Sequence, residues 1–591
     1  MKRAINGLKL FSSSGLFFKV AARISFSLFL AFISISMFVR DSREIQNSIK
    51  SGLPALDEWY YQKIYHFSKS FIYLDQPFVD NVDFSYRNIE TLNFGDLFYK
   101  IIFKFFPYDI SISYFVSTTI LLSLWIYLIS ILVMNSRKNY FFSTAILSLI
   151  CIIMFFGNSR LPNNDYPFAR VVSPQFVGLV WILATLLIFN EIDNKSRLSE
   201  SNGRTLFAFS FLLFFASFTY LYLFLSIFGA LLVRILSLIK TKTFKKALTL
   251  FMSIVAGTLP YLISNSHRLE ETRFTEASLR MGLIESRSPG GGLTIILCLS
   301  CILILNSSKI TKLNFQNSIS KTLSLTSLGI LVASQSNLFT NISIQFSYHF
   351  EIFAWLNFLI IVSLILIKLF NRISCNMQTK TYKNILIIFC LIVLVIYNFT
   401  VKDLNSSKRE LKTIQKTIQM KFGDDSNLIV DAKGLQSSFR IYSKSRILYQ
   451  EDIIPYGYTN KEILERFFIS SGCSNNLTDD VLLKPLVYYI EGSNQKGESL
   501  KKYLRLINLE NQFRFLYQPL IEAAQDRRVS AIEFINFLKL EFQPNSCLEL
   551  ARNKGINFII FDKNSKWSEI LNPKSIVRSD LGLKDIYFSR I

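Results

Sequence analysis

Cysteine is scarce, with seven residues in 591, and the positions of most of them argue against a metal or redox centre. Most lie in long apolar segments, where a CxxC pair such as Cys298 and Cys301 more often packs than binds metal. The remaining pair, Cys473 and Cys547, lies in a polar C-terminal region. A structural disulfide and two buried thiols are equally well supported there. The disulfide would require that this region lies in an oxidising compartment.

The motifs of several common enzyme classes are missing. The sequence contains no Walker phosphate-binding loop, no HExxH motif and no convincing internal repeat. It therefore gives no support to a phosphate-loop nucleotide hydrolase, an HExxH metalloprotease or a repeat protein. Function has to be inferred from the charge pattern and the apolar segments.

Acidic residues are also scarce, with 42 Asp and Glu against 65 Lys and Arg, which gives a formal net charge of +23. Nucleic-acid binding is one explanation of such an excess. Much of it, however, lies on short connectors between apolar segments, and Lys and Arg are favoured in the cytoplasmic connectors of membrane proteins. The charge therefore indicates membrane orientation, and no nucleic-acid partner is expected.

Long uncharged apolar segments dominate the sequence, which is 50% hydrophobic and contains 56 Phe. Most are near the ~20 residues that a helix needs to cross the hydrocarbon core. The uncharged run 205–233 is too long for one ordinary span and is divided near 217–220. The sequence predicts an α-helical polytopic membrane protein with about eleven transmembrane helices, at about 19–39, 112–134, 140–156, 171–189, 205–217, 218–238, 247–264, 291–306, 322–338, 351–369 and 384–401.

Basic residues predict the orientation of these helices. Lys2, Arg3 and Lys9 precede the first segment without a cleavage site, which indicates a retained helix with a cytoplasmic N-terminus. Alternation then places further basic connectors on the cytoplasmic side: Arg137/Lys138, Lys240/Lys242/Lys245/Lys246, Lys309/Lys312 and Arg372/Lys380/Lys383. The outer face receives the loop 40–111, the segments 157–170, 265–290 and 339–350, and all residues after 402.

The character of the chain changes near residue 402. NLIVDAKG (427–434) and INFIIFDKN (556–564) have the composition of short strands, and CLELARNKG (547–555) has a helical pattern. We therefore expect two units, a transmembrane domain over 1–401 and a C-terminal extracytoplasmic soluble domain of α/β or α+β type over 402–591.

Ionisable and polar residues near the membrane are candidates for function, because leaving them unpaired in lipid is costly. The outer face carries four clusters of them. These are Asp57 and Glu58 in LPALDEWYYQ (53–62), Asp165 and Arg170 in NNDYPFARVVSPQF (163–176), Arg268, Arg273, Arg280 and Arg287 in the 265–290 loop, and Gln345 and His349 in NISIQFSYHFE (341–351).

Each cluster also has a structural explanation. The acidic pair fits the N-terminal end of an interfacial helix, Asp165 fits a turn cap, and Arg170 fits a contact with lipid headgroups. The arginine loop also contains glutamates, so local ion pairing accounts for it equally well. A single histidine such as His349 is more often structural than functional.

The arrangement of these features resembles the GT-C superfamily of polytopic glycosyltransferases. The likeness covers roughly residues 1–400 and consists of a cytoplasmic N-terminus, one span, a long first outer loop with LDEWYY, many further spans and a C-terminal outer domain. It implies that Asp57 or Glu58 acts at the acceptor, and that the donor is a polyprenyl-phosphate-linked sugar. The second acidic position of the family falls on Asp165. Some members bind a divalent metal through an acidic pair, but NNDYPF has asparagines beside Asp165, so metal binding stays open.

The resemblance implies inverting glycosyl transfer in a bacterial plasma membrane to a glycan, lipid or protein acceptor, and the residues suit the transfer step. A carboxylate such as Asp57 accepts the proton of the acceptor hydroxyl, and the arginines hold the departing phosphate. The amphipathic segment LNFGDLFYKIIFKFF (92–106) is suited to the interface, where it would help to admit an anionic lipid. Other functions stay open: an O-antigen polymerase or ligase, a transporter and a non-catalytic envelope protein.

Overall fold

In a computed structural model of the chain, the residues described are mostly helical. They are 21, 23–29, 31, 94–105, 110–133, 174–193, 202–266, 284–285, 292–307, 317–336, 338, 342–343, 347–376, 427–431, 446–449, 459–474, 533–534, 536–540, 546–571, 576–578 and 586–591.

The helices of the first 400 residues follow the apolar segments of the sequence. They are α1 Phe94–Phe105, α2 Ile110–Val133, α3 Pro174–Asp193, α4 Asn202–Ser217, α5 Leu221–Lys240, α6 Phe244–Ser266, α7 Gly292–Asn306, α8 Asn317–Ser334 and α9 Glu351–Asn376. Each helix from α2 to α9 overlaps one predicted span. The predicted spans 140–156 and 384–401 lie outside the described residues, and 19–39 is described only in part, as helix.

Three helical stretches within the described residues are long and apolar enough to cross a membrane: Phe176–Asp193, Leu221–Lys240 and Phe244–Ile263. Five shorter apolar stretches accompany them in α2, α4, α7, α8 and α9. The protein is therefore membrane-associated through apolar helices. The total of about eleven spans remains a prediction.

The predicted division of the long apolar run is confirmed, because the chain leaves the helix at 218–220. The hydroxyls of Ser217 and Thr219 donate to the carbonyls of Phe214 and Phe215, which gives the last turn of α4 side-chain partners. Such bonds let a helix end without glycine or proline.

Ring and backbone contacts give the relative directions of α4, α5 and α6. Gly257 of α6 lies against Ser210 of α4, and Tyr261 further along α6 contacts Phe218 just beyond α4. The helices α4 and α6 therefore run the same way. Since α5 and α6 form a hairpin through residues 241–243, α4 and α5 run in opposite directions, as two separate passes require.

Glycines allow a close contact between the helices α5 and α8. A Cβ added at Gly329 would lie 2.4 Å from the Ala230 backbone, and one added at Gly229 would lie 2.5 Å from the Gly329 carbonyl oxygen. No side chain fits in this space, so the two backbones touch directly. Small residues at such crossings are typical of membrane helices.

Gly329→Ala is expected to destabilise the bundle by about 1–3 kcal/mol, because backbone atoms cannot move aside as a flexible side chain would. Thermal unfolding in detergent measures the change. Gly203→Ala is the matched control, since a Cβ there meets nothing within 4 Å. Equal stability of the two variants would contradict the close crossing.

A buried polar network joins α3, α8 and α9. The Trp181 indole donates to Asn357 Oδ1 at 3.1 Å, and Asn357 Nδ2 lies 3.0 Å from Thr326 Oγ1 and 3.1 Å from Ser327 Oγ. Asn357 is fully buried. Both polar atoms of its amide have partners, which removes the cost of burying it in an apolar bundle.

The helix ends sort into two sets. The first is the lysine-rich end, around Asp193, Lys240, Lys245 and Ser318, where Ser318 donates to Asp193 at 2.7 Å. The second is the aromatic end, around Phe94, Phe176, Phe215, Tyr220 and His349. Within each set, the helix ends are those that the alternation of spans in the sequence predicts to lie on the same side of the membrane. That the aromatic end faces outward stays a prediction.

A buried ion pair near the lysine-rich end was not predicted. Arg234 of α5 donates from Nε and Nη2 to the two carboxylate oxygens of Glu191 in α3, at 2.7 and 2.9 Å. Each side chain is only 9% exposed. The parallel pair of bonds satisfies both charges and ties α5 to α3.

Two short strands, β1 Ile284–Glu285 and β2 Ile342–Ser343, precede the C-terminal strands. The described residues after 426 contain β3 Asn427–Asp431, β4 Arg446–Ile447, β5 Phe558–Asp562, β6 Ile576–Arg578 and β7 Ile586–Arg590. These five strands form one sheet in the order β4-β3-β5-β7-β6. The strand β3 is parallel to β4 and β5, whereas β7 is antiparallel to both of its neighbours. Strands β3 and β5 lie where the sequence predicts strands.

Helices cover one face of this sheet, and a disulfide lies among their buried side chains. They are α10 Asn460–Ser470, α11 Cys547–Asn553 and α12 Trp567–Ile570. The buried side chains of Phe468 and Trp567 pack in one cluster with Ile429 and Ile559. Cys473 and Cys547 are disulfide-bonded, with 5.8 Å between their Cα atoms, so of the two alternatives from the sequence the structure has the disulfide.

Candidate functional site

Of the predicted site residues, His349 is the one that the structure describes. The others lie outside the described residues: Asp57, Glu58, Asp165, Arg170, Arg268, Arg273, Arg280, Arg287 and Gln345. Their roles remain predictions. The described residues do, however, show how the segments that carry two of the four clusters are connected.

Two short strands join the arginine-rich loop to the histidine segment. The strand β1, Ile284–Glu285, pairs antiparallel with β2, Ile342–Ser343, so that Ile284 lies opposite Ser343 and Glu285 opposite Ile342. In sequence, Arg280 comes four residues before β1 and His349 six residues after β2. The backbone thus brings together two segments that are 58 residues apart, counted from 284 to 342.

His349 is held by two tyrosines at the aromatic end. It lies in the short 3-10 helix Ser347–Phe350, directly before α9. Its Nδ1 is hydrogen-bonded to the Tyr220 hydroxyl. The Tyr222 ring lies 4.7 Å from the imidazole and 5.2 Å from the ring of Phe350, which is fully buried. The imidazole is therefore held by the hydrogen bond to Tyr220 and by ring packing.

Sequence reasoning missed Tyr220 and Tyr222 as members of this site. Both come from the start of α5, where the chain resumes its helix after the break at 218–220. The one signal in the sequence is two tyrosines at the boundary between two predicted spans. Nothing in the sequence indicates that they contact a residue 129 positions further along the chain.

An aromatic row links Phe218, in the break between α4 and α5, through Phe214 to Phe94 of α1. Phe94 stacks on Phe215 at 4.3 Å, and Phe98 contacts Phe176 at 5.6 Å. These contacts put α1 against the first turn of α3 and the last turn of α4. The amphipathic segment therefore lies at the aromatic end, with Phe105 73% exposed at its C-terminus.

Metal binding remains open. Among the described residues, no group of three His, Cys, Asp or Glu side chains is placed to hold a metal ion. Asp165, the candidate ligand from the sequence, lies outside those residues.

The fold and this site define a helical membrane protein with an aromatic, histidine-containing group at one end of its bundle. No protein-family model matches the chain, and a comparison with curated proteins finds no significant match.

Proposed function

We propose that this protein is a membrane glycosyltransferase that transfers a sugar from a polyprenyl-phosphate-linked donor to a cell-envelope acceptor. The observation that carries the proposal is the pairing of β1 with β2, which joins the arginine-rich loop to the His349 segment. A lipid phosphate needs cations and hydrogen-bond donors in one place, and these two segments supply both.

The aromatic end suits a polyprenyl donor. Such a lipid presents a charged headgroup on a long unsaturated chain, so its site requires polar groups beside apolar surface at the level of the membrane interface. The His349–Tyr220 pair supplies polar groups, and the aromatic row from Phe218 to Phe98 supplies apolar surface beside them. In the proposal, the helix α1, whose Ile101 and Phe105 are exposed, guides the lipid between them.

The chemical step requires a base and a stabilised leaving group. In the proposal, Asp57 accepts the proton of the acceptor hydroxyl while the bond between the anomeric carbon and the phosphate oxygen breaks. Glu58 supports it, and Asp165 and Gln345 line the substrate site, with a divalent metal at Asp165 as an option. Arg170, Arg268, Arg273 and Arg280 hold the phosphate that departs with the polyprenol. The disulfide Cys473–Cys547 supports an oxidising, extracytoplasmic location for the C-terminal residues.

The buried ion pair bears on one alternative function, transport, because charges within membrane helices often mark transport pathways. Arg234 comes six residues before the end of α5, or roughly 9 Å from that end at 1.5 Å per residue. The pair thus lies near one end of the bundle, and its two side chains satisfy each other bidentately. This arrangement favours a structural role over transport.

Radiolabelled transfer from a panel of undecaprenyl-phosphate sugars to membrane extracts tests the proposal. Membranes that contain the protein are expected to incorporate more label from at least one donor than membranes that lack the protein. Thermal unfolding of the same protein sample shows whether it is folded. Incorporation at background level across the panel by folded protein would argue against a glycosyltransferase.

Arg280→Lys is expected to lower transfer by about 10- to 100-fold. Lysine keeps the charge but loses the planar fork that binds two phosphate oxygens, and one charge-assisted hydrogen bond contributes about 1.5–3 kcal/mol. Initial rates of transfer measure the effect. Arg204→Lys, an exposed arginine at the start of α4, is the matched control and should retain the wild-type rate. Full activity of Arg280→Lys would mean that the phosphate is held elsewhere.

A further inference from the structure

The connection between α5 and α6 carries a compact group of lysines. Lys240 ends α5, Lys242 lies in the connection, and Lys245 and Lys246 lie in the first turn of α6. Lys240, Lys242 and Lys245 are exposed. We propose that this lysine hairpin, residues 238–248, binds the phosphate of an anionic phospholipid. The proposal does not depend on the proposed function, because it concerns the lysine-rich end and a bulk lipid of the membrane.

The described residues offer these lysines no acidic partner. The chain has no Asp or Glu between residues 202 and 266. Two carboxylates of α3 lie at the same end, but Glu191 pairs with Arg234, and Asp193 accepts a hydrogen bond from Ser318. The positive charge of the hairpin is therefore available to an anion. The sequence predicts that this end is cytoplasmic, and the cytoplasmic surface of a membrane is where anionic lipids attract basic residues.

The backbone of the hairpin gives a second reason to expect a use for its charge. Lys242 has a φ of 60°, in the left-handed region that favours glycine. Its N–H donates to the Ile239 carbonyl and the Thr243 N–H donates to the Leu238 carbonyl, both at 2.9 Å, which is the Schellman motif that usually has glycine at this position. Lysine is the more strained choice there, and it supplies a charge that glycine lacks.

Hydroxyl groups hold this turn in place. Thr241 Oγ1 donates to the Ser237 carbonyl at 3.1 Å, and Thr243 Oγ1 donates to the Leu238 carbonyl at 3.0 Å. The backbone that carries the lysines is therefore tied to the last turn of α5, so a ligand meets lysines that project from a fixed turn.

Exposed apolar side chains continue from the lysines along α6. Phe244 and Leu248 are 63% and 61% exposed. By helical spacing, Leu248 and the exposed Met252 follow Lys245 on one face, three and seven residues further along α6. A phosphate at the lysines thus leaves its acyl chains beside apolar side chains. This combination fits a phospholipid better than a soluble phosphate compound or an acidic protein, because neither of those has acyl chains to cover the apolar face.

Native mass spectrometry of the full-length protein in detergent tests the site. Dioleoyl phosphatidylglycerol and dioleoyl phosphatidylcholine, which has the same chains and no net charge, are titrated in parallel, and we expect the lower Kd for phosphatidylglycerol. Lys240→Gln/Lys245→Gln should weaken its binding by about 25-fold, or about fivefold for each lysine, whereas Lys240→Arg/Lys245→Arg should retain it. Arg552→Gln/Lys563→Gln removes two exposed charges from the C-terminal region and is the matched control, which should also retain binding.

Lys242→Gly separates lipid binding from folding. Glycine suits the left-handed turn, so the temperature of thermal unfolding should stay the same or rise, while binding of phosphatidylglycerol should weaken about fivefold. Wild-type binding in Lys242→Gly, or an equal loss in Lys240→Gln/Lys245→Gln and the control, would overturn the site. A lower unfolding temperature in Lys242→Gly would overturn the argument from its backbone.

Two further outcomes distinguish other occupants. Equal affinity of the wild type for the two lipids would overturn the lipid site and favour an acidic partner protein. Excess glycerol phosphate, the soluble part of the headgroup, should leave the lipid bound, and displacement of the lipid would favour a soluble phosphate ligand instead. Since no sugar donor is present, failure of this inference and failure of the proposed function are distinguishable.

Discussion

Asp57→Asn is expected to lower the rate of sugar transfer by about 10²–10⁴-fold, the usual contribution of a general base. Asparagine has nearly the same shape as aspartate but cannot accept the proton of the acceptor hydroxyl. Expression and donor binding should therefore stay close to those of the wild type. Initial rates with the active donor from the undecaprenyl-phosphate panel provide the measurement.

Glu58→Gln is the matched control for this prediction and should have a milder effect. Adjacent side chains on a helix diverge by about 100°. At most one of the two carboxylates is therefore expected to point at the acceptor. Full turnover in Asp57→Asn together with an inactive Glu58→Gln would exchange their roles. If both variants stay active, the acidic pair is only the polar start of an interfacial helix, and the proposed function loses its main chemical support.

Glu191→Ala is expected to destabilise the helical bundle by about 3–5 kcal/mol, because it leaves the buried Arg234 guanidinium without its carboxylate. The double variant Glu191→Leu/Arg234→Met should recover most of this loss, since replacing both charges with apolar side chains removes the unpaired group. Unfolding of the purified protein in detergent measures both effects.

An exposed ion pair gives the control for this second prediction. In Lys566–Glu569 the side chains are 37% and 65% exposed, so Glu569→Ala should change stability by less than about 1 kcal/mol. A loss of similar size in Glu191→Ala and Glu569→Ala would contradict the importance of burial. A double variant as unstable as Glu191→Ala would show that packing, rather than charge, holds α3 to α5.

The helices α2 to α9, and the relative directions of α4, α5 and α6, were predictable from the sequence, because lipid requires each crossing segment to satisfy its own backbone and to be apolar throughout. The break near Ser217 was predictable from length alone. The side chains that stabilise it, Ser217 and Thr219, act within one turn, so their role is local. Alternation of basic connectors gave the sets of helix ends that share a side.

The contacts of the site were not predictable from the sequence. Strands of two residues, such as β1 and β2, have no periodicity to recognise, and their pairing depends on the helices that bring the loops together. The contact of Tyr220 with His349 likewise depends on how the start of α5 packs against the 3-10 helix Ser347–Phe350. Arg234 and Glu191 were missed because each lies near the end of an apolar segment, where a charge is ordinarily assigned to the interface.

The sidedness of the aromatic end is the most direct test of the whole account, because a site for an outward-facing polyprenyl donor has to face outward. Labelling of intact cells with a membrane-impermeant maleimide measures it, with Lys104→Cys reporting on α1 and Thr241→Cys on the lysine-rich end. Both positions are exposed, and the unsubstituted protein gives the background of its own cysteines. We predict that Lys104→Cys is labelled in intact cells and Thr241→Cys only after permeabilisation. The reverse pattern would contradict the account.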